Sequence, residues 1–365
     1  MEALLPAGPE AKLWMPRRVL VTAAALEHAH GRRIADRCAG LGLPVETLPG
    51  NRLTGLRGAD ERATYRAAKT TLAVVVAPPS AFKLQPIPPS ADWQFHLARG
   101  CPAHCQYCYL AGSLPGPPVT RVYANLDEIL AARPAYEGQG TVTSRQAARA
   151  HEGTTFEASC YTDPLGLEHL TGSLAAAIAH FGTRPAAGLR FTTKFDAVAP
   201  LLGLRHGGRT RARFSVNAVP GFEGGTAPVP RRLAAMRAMA KAGYPVGLTI
   251  APIMAARGWR ERYGALLHDC AAALAGVAGL DLTAELITHR FTPARSRCCA
   301  AGTRVPGSRW TRSAAPASGG ATAATSTSTR ARRWPTCAPG SPRSFPPACP
   351  RHDCSTSPDG PVLRR

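Results

Sequence analysis

No run of 18 or more apolar residues occurs anywhere in the 365-residue chain, so the pattern a membrane-spanning helix requires is missing. The opening stretch, MEALLPAGPEAKLWMPRR, lacks the apolar segment of a secretory signal, and a cytoplasmic protein is expected. Acids are scarce: 23 Asp plus Glu stand against 44 Lys plus Arg, a formal charge of +21. Lysine is scarcer still, five residues against 39 Arg. Such an excess invites a nucleic-acid reading, but it is unevenly placed. Residues 295–365 hold 12 Arg, no Lys and two acids, Asp353 and Asp359, and so supply +10 of the +21. The same 71 residues contain three aliphatic Val/Leu/Ile side chains, Val305, Val362 and Leu363. They bury too little apolar surface to offset the entropy of ordering, and a disordered, low-complexity basic tail is expected.

What is present before that tail is enough for a sizeable core, since 45% of the chain is apolar. Residues 1–16 read as a disordered start. Residues 17–88 read as a small α/β region with a strand at 19–22, a helix at 25–41 and a strand at 71–76, followed by a stiff connector at Pro78, Pro79, Pro86, Pro88 and Pro89. From residue 89 to 294 short apolar runs alternate with helical patterns. Strands are expected at 94–97, 155–159, 189–193, 211–217, 246–251 and 283–287, with helices at 126–132, 170–181, 198–204, 231–242 and 259–275. Crossovers of that length return each strand parallel, which gives an α/β fold: an open, partial (βα)6 TIM-like barrel.

Directly after the first of these strands stands Gly100-Cys-Pro-Ala-His-Cys-Gln-Tyr-Cys-Tyr-Leu110, in which Cys101, Cys105 and Cys108 are spaced C-x3-C-x2-C. Loops at the carboxyl ends of parallel strands are where such sheets carry their chemistry. Three thiolates can hold three corners of a 4Fe-4S cube and leave the fourth iron open, whereas an electron-transfer cluster uses four cysteines. Structural zinc, with His104 as a fourth ligand, is the alternative, but it favours paired C-x2-C ligands and no second pair lies in the core sequence. The five tail cysteines show no such spacing either.

A C-x3-C-x-aromatic-C loop after a strand in a βα-repeating chain resembles the radical S-adenosylmethionine superfamily. A closer resemblance rests on Cys108-Tyr-Leu110, Arg121-Val-Tyr-Ala-Asn-Leu-Asp-Glu-Ile129, Phe156-Glu-Ala-Ser-Cys-Tyr-Thr-Asp163, Arg190-Phe-Thr-Thr-Lys194, Arg213-Phe-Ser-Val-Asn217 and Glu285-Leu-Ile-Thr-His-Arg-Phe-Thr292. In this order and spacing they resemble the spore photoproduct lyase family, from about residue 17 to 293. The resemblance implies an enzyme that repairs 5-thyminyl-5,6-dihydrothymine in ultraviolet-damaged DNA by way of a 5′-deoxyadenosyl radical. Its cofactors would be a 4Fe-4S cluster on Cys101, Cys105 and Cys108, and S-adenosylmethionine. Its electrons would come from a donor such as flavodoxin or ferredoxin.

The same resemblance implies roles for individual residues. Cys160 matches the cysteine that returns a hydrogen atom to the thymine radical, and Tyr107 and Tyr109 match tyrosines that relay an electron and a proton. Thr162, Lys194 and Ser215 match S-adenosylmethionine contacts, with Asp163 and Asn217 as weaker candidates. Thr162 departs from the usual Ser, and Tyr161 stands where a small residue is commoner. Glu285, His289 and Arg290 read equally as structural pairs at a strand end, and Arg205, Arg209, Arg211 and Arg213 suggest a basic face for DNA. A monomer with no membrane association is expected.

Past Thr292 the resemblance stops, and Arg295-Ser-Arg-Cys-Cys299 opens a run of Ala, Arg, Ser, Thr and Pro. An out-of-frame tail from a GC-rich gene fits that composition, and a basic nucleic-acid arm is the competing reading. Two further functions stay open on sequence alone: a related radical enzyme with another substrate, and an inactive remnant without the family's carboxyl-terminal segment.

Overall fold

The structure, a computed structural model, describes residue 11 and residues 13–108, 110, 116–140 and 147–288. The expected tail at 295–365, residues 1–10 of the expected disordered start, Tyr109, His289 and Arg290 lie outside the described residues. Strand β1 (Arg18–Thr22) is buried on both faces, as its run Val19-Leu-Val21 demands of a central parallel strand. It is flanked by β2 (Val45–Leu48) and β3 (Thr71–Val75). The expected helix at 25–41 is two helices, α1 (Ala23–Glu27) and α2 (Ala29–Gly40), because His28 between them is extended at φ −91° and ψ 133°. Helix α3 (Glu61–Lys69) begins at Asp60, whose carboxylate accepts from the Ala63 N–H at 2.6 Å, an N-cap bond.

The next strands divide between two sheets. β4 (Gln85–Ile87) and β5 (Ala91–Phe95) pair antiparallel, so the proline-rich connector itself contributes an edge strand, where proline is tolerated. β6 (Ala98–Arg99) and β8 (Thr120–Tyr123) instead complete the first sheet, in the order β2-β1-β3-β8-β6. β7 (His104–Cys105) lies in the cysteine loop between them. Helix α4 (Leu126–Ala131) leads on to β9 (Thr154–Ala158).

The second sheet continues through β10 (Ala187–Thr193), β11 (Thr210–Val216), β13 (Val246–Ile253) and β14 (Leu282–Thr288). The order is β14-β13-β11-β10-β9-β5-β4, with every pair parallel except β4–β5. All six expected strands form. The result is a mixed α/β fold whose seven-stranded sheet curls into a half-barrel. Its crossovers are α5 (Glu168–Thr171) with α6 (Ser173–Gly182), α7 (Val229–Lys241) and α8 (Trp259–Leu274). The helix expected at 198–204 shrinks to one 3-10 turn, Ala199–Leu201, since Pro200 and Gly203 leave too few residues for two turns. The short strand β12 (Glu223–Gly224) pairs with β7.

Alternation along the strands gives the half-barrel two unlike faces. Phe95, Phe156, Phe191 and Phe214 point outward into the helix layer, where Phe95 and Phe156 meet Phe181 of α6 at ring separations of 6.1 and 5.5 Å. The inward face is charged. Arg213 bonds Glu157 at 2.5 Å and Glu285 at 2.7 Å, and Arg211 bonds Glu152 at 3.1 Å and Asp281 at 2.8 Å. Arg190 reaches Glu152 and the Ser90 carbonyl. A closed barrel fills this space with aliphatic layers; here paired charges line it. Among the described residues no helix is long and apolar enough to cross a membrane.

Candidate active site

The cysteine loop begins where β6 turns through Gly100 at φ +83°. A Cβ there would lie 2.3 Å from the Val119 carbonyl oxygen, so only glycine fits. Beyond Cys101 the loop is held on two sides. β7 pairs with β12, setting Cys105 opposite Glu223, and the Gln106 N–H donates to the Phe222 carbonyl at 2.9 Å. From the other sheet, Lys69 at the end of α3 donates through Nζ to the carbonyls of Cys101 at 2.5 Å and Ala103 at 2.6 Å. Lys69 is only 6% exposed, so this ammonium is committed to the loop.

The three thiols lie within electrostatic reach of one another. Burial pushes Cys101 up to about 12, with Lys69 opposing the shift, and burial likewise raises Cys105 against the pull of Lys194. Sulfur donors with cations beside them form a donor set that suits an iron–sulfur cluster. Among the described residues no three His, Cys, Asp or Glu side chains close around a single ion. A cube binds its thiolates through three different irons and asks for separated sulfurs instead. The His104 ring lies toward Tyr65, 6.5 Å between centroids.

Beside the loop, Lys194 at the end of β10 donates to Ser215 Oγ and to Glu223 Oε1, both at 2.7 Å, and its ammonium lies 5.5 Å from the Tyr107 ring centre. Tyr107 donates its phenol proton to the same Glu223 oxygen. Arg232 lies 2.6 Å from the other Glu223 oxygen and donates to the Ser215 carbonyl at 2.8 Å. Burial would raise the Glu223 carboxyl, but Lys194 and Arg232 together hold it below the usual range. Burial and then Glu223 push the Tyr107 phenol far up. Thr162 Oγ1 is buried with no hydrogen-bond partner, as is Thr249 Oγ1, which stands next to Ser215 in register. Orphaned hydroxyls at the strand ends are what a polar ligand would satisfy.

Asp163 and Asn217 are engaged with the chain itself. Asp163 accepts from Thr193 Oγ1 at 2.8 Å, the Lys194 N–H at 2.6 Å and the Gly166 N–H at 3.3 Å; burial still lifts it to about 6. Asn217 donates to the Pro252 carbonyl at 2.7 Å and accepts from the Val219 N–H at 2.8 Å.

Cys160 sits on the turn after β9. Ser159 before it has φ 62°, the one non-glycine residue with positive φ among those described. Its hydroxyl accepts from the Leu97 N–H at 2.8 Å, its own N–H donates to the Phe95 carbonyl at 2.7 Å, and the Gly100 N–H donates to the Tyr161 carbonyl at 2.9 Å. These bonds fasten the Cys160 turn to the cysteine loop. Burial and then the Glu157 carboxylate push the Cys160 thiol well up, so it is held as S–H. Glu285 is a structural partner of Arg213 and of the Ser90 hydroxyl, at 2.7 and 2.8 Å. Two of the four arginines suggested as a basic face are internal: Arg211 and Arg213 are 4% and 6% exposed and spent on ion pairs, whereas Arg205 is exposed and Arg209 is half-buried, donating to the His151 carbonyl at 3.0 Å.

Lys69, Ser159 and Glu223 were not candidates from sequence. Lys69 is one of five lysines, which is a faint signal; Ser159 reads only as the end of an expected strand and Glu223 lies in a segment without periodicity, so both become visible only through the pairing of distant segments.

An α/β half-barrel with a half-buried thiol at the carboxyl end of one of its strands, fastened to a three-cysteine loop, defines a protein of the radical S-adenosylmethionine class. The sequence profile of spore photoproduct lyase matches residues 14–309, running past Ala294 where the composition changes. The spore photoproduct lyase of Bacillus subtilis (strain 168) is 39% identical over 288 residues, 78% of this chain and 81% of that protein. The one from Geobacillus sp. (strain Y412MC61) is 40% identical over 290 residues, 78% of this chain and 82% of that protein. A solved spore photoproduct lyase complexed with dinucleoside spore photoproduct superposes with a TM-score of 0.75 at 38% identity, covering 83% of this chain and 86% of that one. A mutant with bound AdoMet and dinucleoside spore photoproduct gives 0.72 at 37%, covering 83% and 89%. The chain belongs to the spore photoproduct lyase family.

Proposed function

We propose that the protein is a DNA repair lyase that splits the spore photoproduct, 5-thyminyl-5,6-dihydrothymine, into two thymines. The observation that carries this is the fastening of the Cys160 turn to the three-cysteine loop, which keeps a half-buried thiol beside the place where a radical would be generated. Relatives at 37–40% identity, two of them solved with the dinucleoside lesion, support the same substrate. The lesion's methylene bridge is buried in the base stack, so the damaged nucleotides must leave it to be reached.

Cys101, Cys105 and Cys108 would hold a 4Fe-4S cluster, and Thr162, Lys194 and Ser215 would hold S-adenosylmethionine, with Asp163 and Asn217 fixing the strand ends behind them. When bound, the pair supplies a 5′-deoxyadenosyl radical that takes hydrogen from C6 of the reduced thymine ring. Cys160 gives its S–H hydrogen to the thymine methyl radical left after the bridge breaks, which a stronger O–H bond could not do. Tyr107, with Tyr109, would relay an electron and a proton to the cysteine thiyl from the 5′-deoxyadenosine formed earlier, so that neither tyrosine is left oxidised. Glu223, held ionised by Lys194 and Arg232, accepts the Tyr107 hydrogen bond and fixes the phenol's orientation. The half-barrel would be a partial (βα)6 TIM-like barrel, joined to the small α/β region by β4 on its own edge and by β6 and β8 in the first sheet. The protein would act as a cytoplasmic monomer fed by a flavodoxin or ferredoxin.

The test is incubation of the full chain, reconstituted anaerobically with iron and sulfide, with S-adenosylmethionine, a reductant and a lesion dinucleotide. Recovery of the thymine dinucleotide is expected. Cleavage of S-adenosylmethionine without repair would sink the proposed substrate. Cys160→Ala should consume the lesion yet divert the thymine radical to side products, and unchanged repair in that variant removes Cys160 from its role.

A further inference from the structure

A second feature opens beside the Cys160 turn. A pocket of about 150 Å³ lies between the 78–85 segment, the end of β5 and Tyr161, and its polar lining includes Lys83, Gln94, His96, Arg99 and Tyr161. That volume suits one small group. Among the described residues, the lining holds two fixed cations and no carboxylate.

The donors there are left waiting. Arg99 Nε and His96 Nδ1 are buried without hydrogen-bond partners. Arg99 stands directly opposite Arg121 in the β6–β8 pairing, a like-charge arrangement that is unfavourable by itself. Neither arginine has an ion pair among the described residues, while the inward face of the half-barrel pairs its arginines throughout. Orientation is nevertheless fixed: the Arg99 guanidinium lies 5.0 Å from the centre of the Tyr161 ring, and the His96 ring packs 4.9 Å from it on centroids. Burial, and then Arg99, hold His96 down at about 4, so it stays neutral and retains one N–H to donate.

A guanidinium with an open buried donor, set opposite a second arginine, is stabilised by an anion beside it. The pocket's place narrows which one. Tyr161 follows Cys160, and Arg99 is two residues before Cys101, so a group held here is a short step along a strand from a base presented to the thiol. We propose that this pocket is an anion subsite that takes a phosphodiester group of the DNA strand carrying the lesion. It rests on the lyase reading above. The phosphate fixes the strand's register, and the reacting bases are then placed by the backbone on which they hang.

The test compares two substrates on the reconstituted full chain: the lesion dinucleotide with its internucleotide phosphate, and the lesion dinucleoside without it. The expected result is a kcat/KM at least about tenfold higher for the phosphate-bearing substrate, as one charge-assisted contact supplies. Arg99→Gln and, independently, Lys83→Gln at the exposed rim should each pull that ratio toward one. Equal kcat/KM for the two substrates in the unaltered protein overturns the subsite. So does a preference that survives in both variants, which places the phosphate elsewhere. Inorganic phosphate that binds and is weakened by Arg99→Gln, with no substrate preference, assigns the pocket to a free anion and overturns the DNA source. Repair of neither substrate overturns the lyase reading, and the subsite with it, whereas repair of the dinucleoside leaves that reading standing whatever the ratio.

Discussion

Ser159 holds a backbone conformation that costs an L-residue about 1–3 kcal/mol, and it does so one residue before the thiol proposed as the hydrogen donor. Its hydroxyl repays part of that cost by accepting from the buried Leu97 N–H. The two effects separate by substitution. Ser159→Ala keeps the strained φ and orphans the Leu97 N–H, and should lower stability by about 1–3 kcal/mol. Ser159→Gly orphans the same N–H but relieves the strain, and should be about 1 kcal/mol more stable than the alanine variant. Urea midpoints measure both, and an alanine variant as stable as glycine would show that the turn is unstrained. At this scale the cysteines were legible, because C-x3-C-x2-C is a local pattern with chemical meaning. Ser159 was not, since nothing in Phe156-Glu-Ala-Ser-Cys160 announces a left-handed residue; the bond to Leu97 spans 62 positions.

Among the elements, β11 shows why the strands were readable. Arg211-Ala-Arg-Phe-Ser-Val216 alternates, sending Ala212, Phe214 and Val216 to the helix layer and Arg211, Arg213 and Ser215 inward. The period gave the strand but not the use of its polar face, which had been read as basic surface for DNA. Arg213 is instead the centre of a buried Glu157–Arg213–Glu285 chain; burial lowers its affinity for the proton, and the two carboxylates outweigh that and raise it. Arg213→Leu leaves two carboxylates uncompensated and should destabilise by about 3–5 kcal/mol. Adding Glu157→Leu should restore a substantial part of that loss. Chemical denaturation decides it: a single variant within 1 kcal/mol of the parent, an estimate of the surface-pair range, would mean that the chain is not buried in solution. The short crossover at Ala199–Leu201 was misread for a related reason, because apolar spacing over seven residues cannot say whether a proline and a glycine stop the helix.

Across the whole molecule, the first sheet does more than precede the half-barrel. It recruits β6 and β8 from either side of the cysteine loop, and Lys69 from its α3 clamps that loop through two carbonyls. Lys69→Met removes the clamp while filling similar volume. It should leave the circular dichroism of the full chain unchanged and weaken iron retention after reconstitution about tenfold, as loss of a residue supporting a metal ligand does. Full iron content in that variant would make Lys69 merely structural. The sequence by itself determined the α/β class, the six parallel strands, the three-cysteine loop and the family, because strand period and ligand spacing are properties of neighbouring residues. It also divided the +21 charge and assigned nearly half of it to residues 295–365, which lie outside the described structure. Only the tertiary structure decided that Arg211 and Arg213 are internal, that Glu223 joins Tyr107 to Lys194, and that Arg99 faces Arg121 beside an open pocket. Each of those depends on which distant strands pair and in what register, and a single residue's slip in that pairing would turn every such side chain to the opposite face.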